Sequence, residues 1–568
     1  MPPLARGHAT PLPDSSAAWT ASVREPSYGR RLVGSLVGAG RWRWLTGLLL
    51  AALAGVMLAT FLDYGMTGDE GVQHRYGRKL LRWYAGLGTQ RPPVAEGDIA
   101  MYGGFFEVVA EAAALVSPLD PFETRHLVNV LFALAAAVAV AGMGAHVAGA
   151  RGAFFSALVL ALTPTFYGHS FNNPKDIPFA ATYALAVWAV LAVGAVLPRL
   201  PWARLAAAGL AIGLTAGVRV AGIALFGYAL VLWSGTLLLE RDAGEPKGAV
   251  LRRLVRHGSA WAVAVGLGWT VMLAFWPWAL DDPLRNPLRA RQAFSDFWSS
   301  AVVFFDGRFV LSGDVSRIYL PKWLALVLPE LYLVAFAMGA LRALLLLRER
   351  PLDPAARLKL FQVGWLVSLV ALPVAWVVAT RTPLYDGMRH FLFVVPILAV
   401  IAGTSIATYL GSRRWSADKV LATGALAASC LVTLVDMVEL HPYQAVYFNR
   451  LVAGGLRHAL TRYEGDYWCL SFKEGTEWLR RRYADARCQE RIRVAGHSIL
   501  LQTAYYLQKT EADRRRFKPV GVEGRPHFVL ATTRFGDHLR TPGRLAHVVE
   551  RQGATLLYVF ETRRPPCE

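Results

Sequence analysis

Apolar blocks of about twenty residues, separated by short charged or Pro/Gly-rich stretches, set the strongest limit on how this chain can fold. A helix of ~20 apolar residues crosses the ~30 Å hydrocarbon core of a bilayer. The chain has 568 residues, of which 54% are hydrophobic and only 18% charged, whereas soluble proteins carry more charge. The pattern predicts a mostly α-helical, polytopic membrane protein with about eleven transmembrane helices. The predicted spans are 45–62, 126–148, 153–168, 177–197, 203–217, 220–239, 258–278, 323–345, 360–379, 390–410 and 419–437.

Basic residues predict the orientation of these spans. With the N-terminus inside, every inside connection contains Arg or Lys, as the positive-inside rule requires. The inside connections are then 149–152, 198–204, 240–257, 346–359 and 411–418, and the outer loops are 63–125, 169–176, 279–322 and 380–389. The sequence predicts a multi-pass protein of the cell inner (plasma) membrane with a cytoplasmic N-terminus. The net charge of +20 fits cytoplasmic loops facing anionic lipid, so no nucleic-acid partner is predicted.

Two stretches decide this topology. Residues 105–117 are apolar but short, and Glu107 and Glu111 make insertion costly, so they are predicted to lie on the outer leaflet. The run 203–239 is too long for one crossing and short for two. We interpret it as a tight hairpin with Arg219 at its outer end.

The two ends of the chain differ from this apolar middle, the transmembrane domain 45–437. Residues 1–44 are predicted to be a cytoplasmic polar tail, partly disordered. Residues 438–568 have the composition of a soluble domain and are predicted to form an extracytoplasmic α/β domain. Helices are expected at 471–484 and 498–508, and strands at 491–496, 527–532 and 554–561. Within this domain Cys469 and Cys488 can form a disulfide, or both can be free thiols.

The adjacent carboxylates Asp69 and Glu70 follow the first span. Near the outer surface, one carboxylate can accept a proton from an acceptor hydroxyl while the other orients it or binds a cation. The pair can hold Mg²⁺ or Mn²⁺ through oxygen ligands, although no third ligand is evident. The alternative is that both residues only begin the following helix, where acidic side chains favour the helix dipole.

The second outer loop holds a dense polar set in the segment HSFNNPKDIP at 169–178. Its two prolines predict a fixed turn. His169, Asn173, Lys175 and Asp176 are the candidate site residues of this turn. The alternatives are that Asp176 caps a helix and that Lys175 lies at the membrane interface.

Arginines near the outer surface form a third set: Arg219, Arg381 and Arg389, the last followed by His390. A phosphate ester at head-group level needs fixed cations, and Arg binds it through two hydrogen bonds. The alternative is that these arginines reach lipid phosphates. The aromatic loop 279–322, preceded by Trp276-Pro277-Trp278, can bind a sugar or prenyl chain or can form an ordinary aromatic belt.

Together these motifs resemble the membrane glycosyltransferases with the GT-C fold, in particular glycosyltransferase family 39. That family contains the dolichyl-phosphate-mannose–protein mannosyltransferases and their bacterial relatives. The resemblance covers about residues 45–480. It rests on Asp69-Glu70, on the 169–178 turn, and on the segments YDGMRHFLFVVP (385–396), HPYQAVYFNRLVAGG (441–455) and DYWCLSFKEGTEWL (466–479).

The resemblance implies a polyprenyl-phosphate sugar donor and an acceptor hydroxyl on a glycan, lipid or protein. It implies that Asp69 is the base of an inverting displacement and that Glu70 is a second acidic site residue. Arg219, Arg389, His390 and Lys175 would surround the donor phosphate.

Two other readings stay open at this stage. A polytopic transporter or lipid flippase would also have many helices and an intramembrane Arg, and would place its charges along a path through the bilayer. A non-enzymatic assembly protein would use its outer domain to bind partners. The chain has no phosphate loop and no HExxH motif, which leaves no support for an ATP-driven pump or a metalloprotease.

Overall fold

The structure, a computed structural model, describes residues 40–86, 97–240, 246–295, 300–348, 353–411, 417–497 and 500–567. Most of the predicted tail 1–44 and the predicted inside arginines Arg413 and Arg414 lie outside the described residues. In chain order the described helices are α1 Gly40–Thr60, α2 Glu70–Ala85, α3 Phe105–Val116, α4 Pro121–Ala161, α5 Pro164–Asn172, α6 Asp176–Gly194, α7 Trp202–Ala216, α8 Ala224–Leu239, α9 Lys247–Ala274, α10 Pro277–Leu280, α11 Arg285–Ser295, α12 Tyr319–Val327, α13 Glu330–Arg348, α14 Pro354–Thr380, α15 Val394–Leu410, α16 Ala417–Glu439, α17 Arg450–Ala453, α18 Gly455–Ala459, α19 Phe472–Arg482, α20 Leu500–Leu507, α21 Glu511–Arg516 and α22 Asp537–Arg540.

The predicted mostly α-helical, polytopic membrane protein is confirmed. Among the described residues, seven helices are long and apolar enough to cross a membrane, and there are eight if the bent pair α12 and α13 is one span. Two further predicted spans correspond to the shorter apolar helices α7 and α15. The predicted spans 126–148 and 153–168 both begin within α4, which is interrupted at Ala148 and at Gly149, where φ is +70°. Glycine adopts this left-handed conformation at little cost, so the chain can turn between two apolar segments.

The helix length in 105–117 and the break in 203–239 agree with the predictions, while the position of both stretches relative to the membrane stays a prediction. α3 has 12 residues, which is too short for a crossing, and its Glu107 and Glu111 carboxylates bind the buried Arg125 at 2.5 and 2.7 Å. The run 203–239 is broken between α7 and α8, and Arg219 has an extended backbone at the break. α7 packs closely on α9, because a Cβ atom at Gly213 would lie 2.4 Å from the Gly268 backbone oxygen.

The C-terminal region is an α/β domain with five strands. They are β3 Ile492–Gly496, β4 Phe517–Pro519, β5 Phe528–Ala531, β6 Arg544–Arg551 and β7 Ala554–Glu561, and β1 Val302–Phe305 and β2 Arg308–Leu311 form a separate hairpin in the 279–322 loop. The sheet order is β4-β3-β5-β7-β6, with β3 parallel to β4 and β5, and β7 antiparallel to β5 and β6. The predicted strands are β3, β5 and β7, which form the centre of the sheet.

Both alternatives for Cys469 and Cys488, a disulfide between them or two free thiols, are wrong. Cys488 is bonded to Cys567, across a separation of 79 residues. Cys469 is a buried free thiol, and its Sγ lies 3.9 Å from the Thr532 Oγ1. The bridge joins the segment before β3 to the segment after β7, so it closes the domain at its two ends.

Candidate active site

Asp69 precedes α2, but its side chain makes no capping hydrogen bond to that helix. Its carboxylate faces two cations, with Lys175 Nζ at 3.8 Å and Arg389 Nη1 at 3.7 Å from Oδ2. The side chain is 32% exposed. Burial raises the pKa of Asp69, but the charges of Lys175 and Arg389 outweigh it, so the pKa lies below its ordinary value. Asp69 is therefore an accessible, ionised carboxylate at neutral pH.

Glu70 points elsewhere, although it is the next residue in the chain. Its Oε2 accepts a hydrogen bond from the Thr67 backbone N–H at 2.7 Å, and its Oε1 lies 3.0 Å from His126 Nε2. The side chain is buried. Glu70 thus closes the first turn of α2, as the helix-start alternative requires, and the structure does not bring it into the Asp69 site.

The predicted turn at 169–178 is shorter in the structure, because residues 169–172 belong to α5 and 176–178 to α6, and it places Lys175 directly before Asp176, the first residue of α6. The Asn173 Oδ1 accepts hydrogen bonds from the backbone N–H of Asp176 at 2.9 Å and of Lys175 at 3.3 Å. The Asn173 amide also donates to Asp176 Oδ2 at 2.9 Å. These hydrogen bonds form an Asn turn, in which the asparagine side chain accepts from backbone N–H groups that follow it, and the turn contains Pro174. The loop therefore holds a cation and a carboxylate side by side.

Asp176 is the buried centre of the cluster. Its side chain is only 2% exposed, and its Oδ1 is hydrogen-bonded to Arg219 Nη2. Its Oδ2 lies 3.4 Å from Arg389 Nη1. A buried carboxylate between two guanidinium groups compensates their desolvation and fixes their positions. Arg219, between α7 and α8, and Arg389, before α15, therefore share Asp176 as a counterion.

Asp386 connects the membrane domain to the C-terminal domain. Its Oδ2 lies 3.0 Å from Arg389 Nη2, and its Oδ1 lies 3.1 Å from Arg534 Nη2. Arg534 also donates to the backbone oxygen of Tyr467. Asp386 is 4% exposed, so it acts as a shared counterion for two arginines from different parts of the chain.

The site holds more positive than negative charge. Lys175, Arg219, Arg389 and Arg534 face Asp69, Asp176 and Asp386, an excess of one cation. Glu464 lies beside this cluster, where burial and then the charge of Asp386 raise its pKa to about 8. The raised pKa disfavours the charged form of Glu464, so Glu464 offsets the excess less than an ordinary carboxylate would.

Aromatic rings enclose the cations. The Lys175 Nζ lies 4.8 Å from the centre of the Tyr102 ring, and the Arg389 guanidinium carbon lies 5.2 Å from Tyr385 and 5.1 Å from Trp468. Such contacts restrict the cations and keep water away from them. Charge interactions are stronger in these surroundings than in bulk water.

Both predicted histidines lie at the edge of the cluster. His169 Nε2 is 3.2 Å from the Tyr467 hydroxyl, and its Nδ1 is 3.4 Å from the Asn173 amide nitrogen. The His390 ring packs on Tyr385 with ring centres 4.8 Å apart. His390 Nδ1 is buried and has no hydrogen-bond partner among the described residues. His390 therefore packs behind the arginines and holds no ion pair with a carboxylate of the cluster within the described part of the chain.

Other sequence candidates lie outside the cluster. Arg381 ends α14 in a left-handed conformation and is exposed. Trp276 is fully buried and donates to the Ala100 backbone oxygen at 2.9 Å, which is a packing role. In the loop 279–322, residues 296–299 lie outside the described part.

The Asp69-Glu70 pair does not fit a divalent cation. Both Glu70 oxygens are engaged by Thr67 and His126, and Asp69 faces two cations. Mg²⁺ and Mn²⁺ need several converging oxygen ligands. In the part of the chain that the structure describes, no group of three or more His, Cys, Asp or Glu side chains could hold a metal ion.

Sequence reasoning missed Asp386 and Arg534. Asp386 stands three residues before Arg389 in the segment on which the resemblance rests, and this spacing was the available signal. Arg534 is one of many arginines in the C-terminal domain and follows β5, so only the folded domain distinguishes it.

No protein-family model and no curated protein matches this chain. Its structure is similar to that of ArnT from Cupriavidus metallidurans bound to undecaprenyl phosphate, with 18% identity, a TM-score of 0.46, and coverage of 92% of this chain and 98% of ArnT. It is also similar to the oligosaccharyltransferase AglB from Archaeoglobus fulgidus in complex with an inhibitory peptide and a dolichol-phosphate, with 12% identity, a TM-score of 0.42, and coverage of 84% and 64%. Membership of glycosyltransferase family 39 stays a prediction.

Proposed function

We propose that this chain is a membrane glycosyltransferase that moves a sugar from a polyprenyl-phosphate donor to an acceptor hydroxyl of a glycan, lipid or protein. The observation that carries the proposal is one accessible carboxylate, Asp69, held by Lys175 and Arg389 at the edge of an otherwise buried cationic cluster. The reaction would take place at the extracytoplasmic face of the inner membrane. There a lipid-anchored donor presents its phosphate at head-group depth.

The proposed reaction is a single displacement. The acceptor O–H gives its proton to Asp69, its oxygen bonds to the anomeric carbon, and the bond from that carbon to the phosphate oxygen breaks. The lipid phosphate leaves with the electron pair and gains negative charge. Lys175, Arg219 and Arg389 are fixed in place before the reaction, so they can stabilise this charge as it develops. The donor diester carries one negative charge, which matches the excess of one cation in the cluster.

Two features support an enzyme over a transporter or flippase. The cluster residues come from helix ends and connections: the start of α2, the turn before α6, the α7–α8 break and the segment before α15. Three of the four cations are bound to buried carboxylates, which immobilises them. A transporter needs charged groups along a path through the bilayer instead.

Replacement of Asp69 tests the proposal. We expect Asp69→Asn to lower sugar transfer from a polyprenyl-phosphate donor by about 10²- to 10⁴-fold, because the amide cannot accept the proton. The measurement is product formation by purified protein with a panel of polyprenyl-phosphate sugars and acceptors. Asp63→Asn is the matched control, because Asp63 lies in the same loop, is 52% exposed and pairs with His441. Wild-type turnover by a folded Asp69→Asn variant would rule out the base.

A further inference from the structure

A second basic pocket lies beyond the opposite end of α6 from Asp176, at the junction of the α6–α7 connection and α9. It has a volume of about 500 Å³ and is lined by Pro198 and Arg199 on one wall and by α9 on the other. The α9 residues in the lining include Arg252, Arg253 and Arg256, whose spacing puts them on neighbouring positions of the helix surface. Every lining side chain that is charged at neutral pH is therefore a cation.

The pocket walls are tied together by His257. Its buried ring lies between two backbone oxygens, with Nδ1 at 2.6 Å from that of Arg253 and Nε2 at 3.1 Å from that of Pro198. One oxygen belongs to α9 and the other to the opposite wall. The ring thus holds the arginines of both walls at a fixed separation.

Three of the four arginines of this pocket differ from those of the candidate active site, which are paired with carboxylates. Among the described residues, no carboxylate pairs with Arg199, Arg252 or Arg256, and all three are exposed. Four like charges around one concave site repel one another, and an anion relieves that repulsion. A planar guanidinium can give two parallel hydrogen bonds to phosphate oxygens.

The position of the pocket indicates where the anion comes from. Leu251 and Val255 are 63% and 60% exposed on α9 beside the pocket arginines, a surface suited to acyl chains. The apolar part of α9 begins directly after His257. A crossing that begins after His257 would place the pocket at the level of phospholipid phosphates.

We propose that this pocket binds a phosphate group at the membrane surface opposite the Asp69 cluster. Its source is an anionic lipid headgroup or free phosphate, two sources that share the same chemistry. The proposal does not depend on the proposed transferase activity.

Binding to the purified full-length protein in nonionic detergent tests the site. Native mass spectrometry would follow dioleoyl phosphatidylglycerol, dioleoyl phosphatidylcholine and inorganic phosphate, each added alone and in competition. We expect phosphatidylglycerol to bind more tightly than phosphatidylcholine. In Arg252→Gln/Arg256→Gln we expect the affinity to fall about tenfold or more, because two of the four cations are gone.

The matched control is Arg357→Gln/Lys359→Gln, which removes two exposed cations from α14 at the same predicted face but outside the pocket. If only inorganic phosphate binds in a pocket-dependent way, the site stands and its ligand is free phosphate. If the pocket variant and the control bind both ligands equally well, the proposal is overturned and the arginines only set topology. Arg199→Gln, on the opposite wall, gives the same test should the double variant fail to fold.

Discussion

Asp69 and Glu70 are chemically almost identical neighbours, and their surroundings separate them. Glu70 is enclosed by Thr67 and His126, so it stabilises the start of α2. Asp69 stands one position earlier, where its side chain makes no capping hydrogen bond to α2 and faces Lys175 and Arg389. Because the Glu70 carboxylate is hydrogen-bonded at the start of α2, it is poorly placed to accept a proton from a substrate. The Asp69 carboxylate is accessible.

Lys175 lowers the pH at which Asp69 becomes protonated. The folded-state pKa of Asp69 is lowered, so the carboxylate stays ionised below the ordinary range of Asp. Removing the cation in Lys175→Gln raises that pKa, so the base becomes protonated at a higher pH. We expect the acidic limb of the kcat/KM profile to move to higher pH, and the plateau to fall by about 10²-fold through loss of one phosphate contact.

The control for this prediction is Lys322→Gln. Lys322 in α12 pairs at 2.6 Å with Asp306 of the β1–β2 turn, outside the cluster, so this variant removes a similar ion pair without changing the surroundings of Asp69. An acidic limb that stays in place in Lys175→Gln, or moves equally in both variants, would show that Lys175 does not act on the base.

At the residue scale, the sequence was informative wherever a polar residue interrupted an apolar pattern. Arg219 in the middle of 203–239 and the Lys175-Asp176 pair in a Pro-bounded turn were costly enough to be noticed, and both lie in the cluster. Glu70 could not be told from Asp69, because the difference depends on which side of α2 each faces. Arg534 could not be recognised as a site residue from the sequence, because its partner Asp386 is nearly 150 residues away in the chain.

At the scale of elements, hydrophobic pattern predicted the central strands but not the edges of the C-terminal sheet. β5 is an apolar run buried at every position. β6 begins and ends with arginine and has only one buried residue, and β4 has three residues with an exposed Lys518, as expected of edge strands. The breaks in the membrane helices were predictable for a related reason, because Gly and Arg are costly within an apolar helix.

The C-terminal domain contributes an arginine to the site through the segment after β5. Because Arg534 holds Asp386, and Asp386 holds Arg389, we expect Arg534→Gln to reduce kcat/KM by about tenfold or more while the domain stays folded. Arg534 is a positioning residue, so its effect should depend on Asp386. A double-mutant cycle with Asp386→Asn should be strongly non-additive.

Arg462→Gln is the matched control, since Arg462 belongs to the same domain and lies 3.6 Å from Asp306, outside the cluster. Additive losses in the Arg534 and Asp386 cycle, or an equal loss in the control, would mean that Arg534 only stabilises the domain.

The molecule as a whole contains two separate groups of cations, one paired with carboxylates and one lining the basic pocket. Cations paired with carboxylates lie near the starts of α2, α6, α8 and α15. Arg199, Arg252 and Arg256, which have no carboxylate partner among the described residues, lie past the end of α6 and in the first half of α9. Paired charges are immobile and suit a reaction centre, while unpaired ones attract mobile anions. Both groups of cations contribute to the net charge of +20.

The Asp69 cluster and the basic pocket are expected on opposite faces of the membrane, and cysteine labelling can measure this directly. Ser316 is exposed in the 279–322 loop, on the side of the cluster, and Gly248 is exposed at the start of α9, beside the basic pocket. With Cys430 and Cys469 replaced by Ala, we expect Ser316→Cys to react with a membrane-impermeant maleimide in intact spheroplasts. Gly248→Cys should react only after permeabilisation, because basic segments stay in the cytoplasm. The reverse pattern would put Asp69 in the cytoplasm and end the proposal of an extracytoplasmic transferase, whereas the pH profile of Lys175→Gln would still test Asp69 as a base.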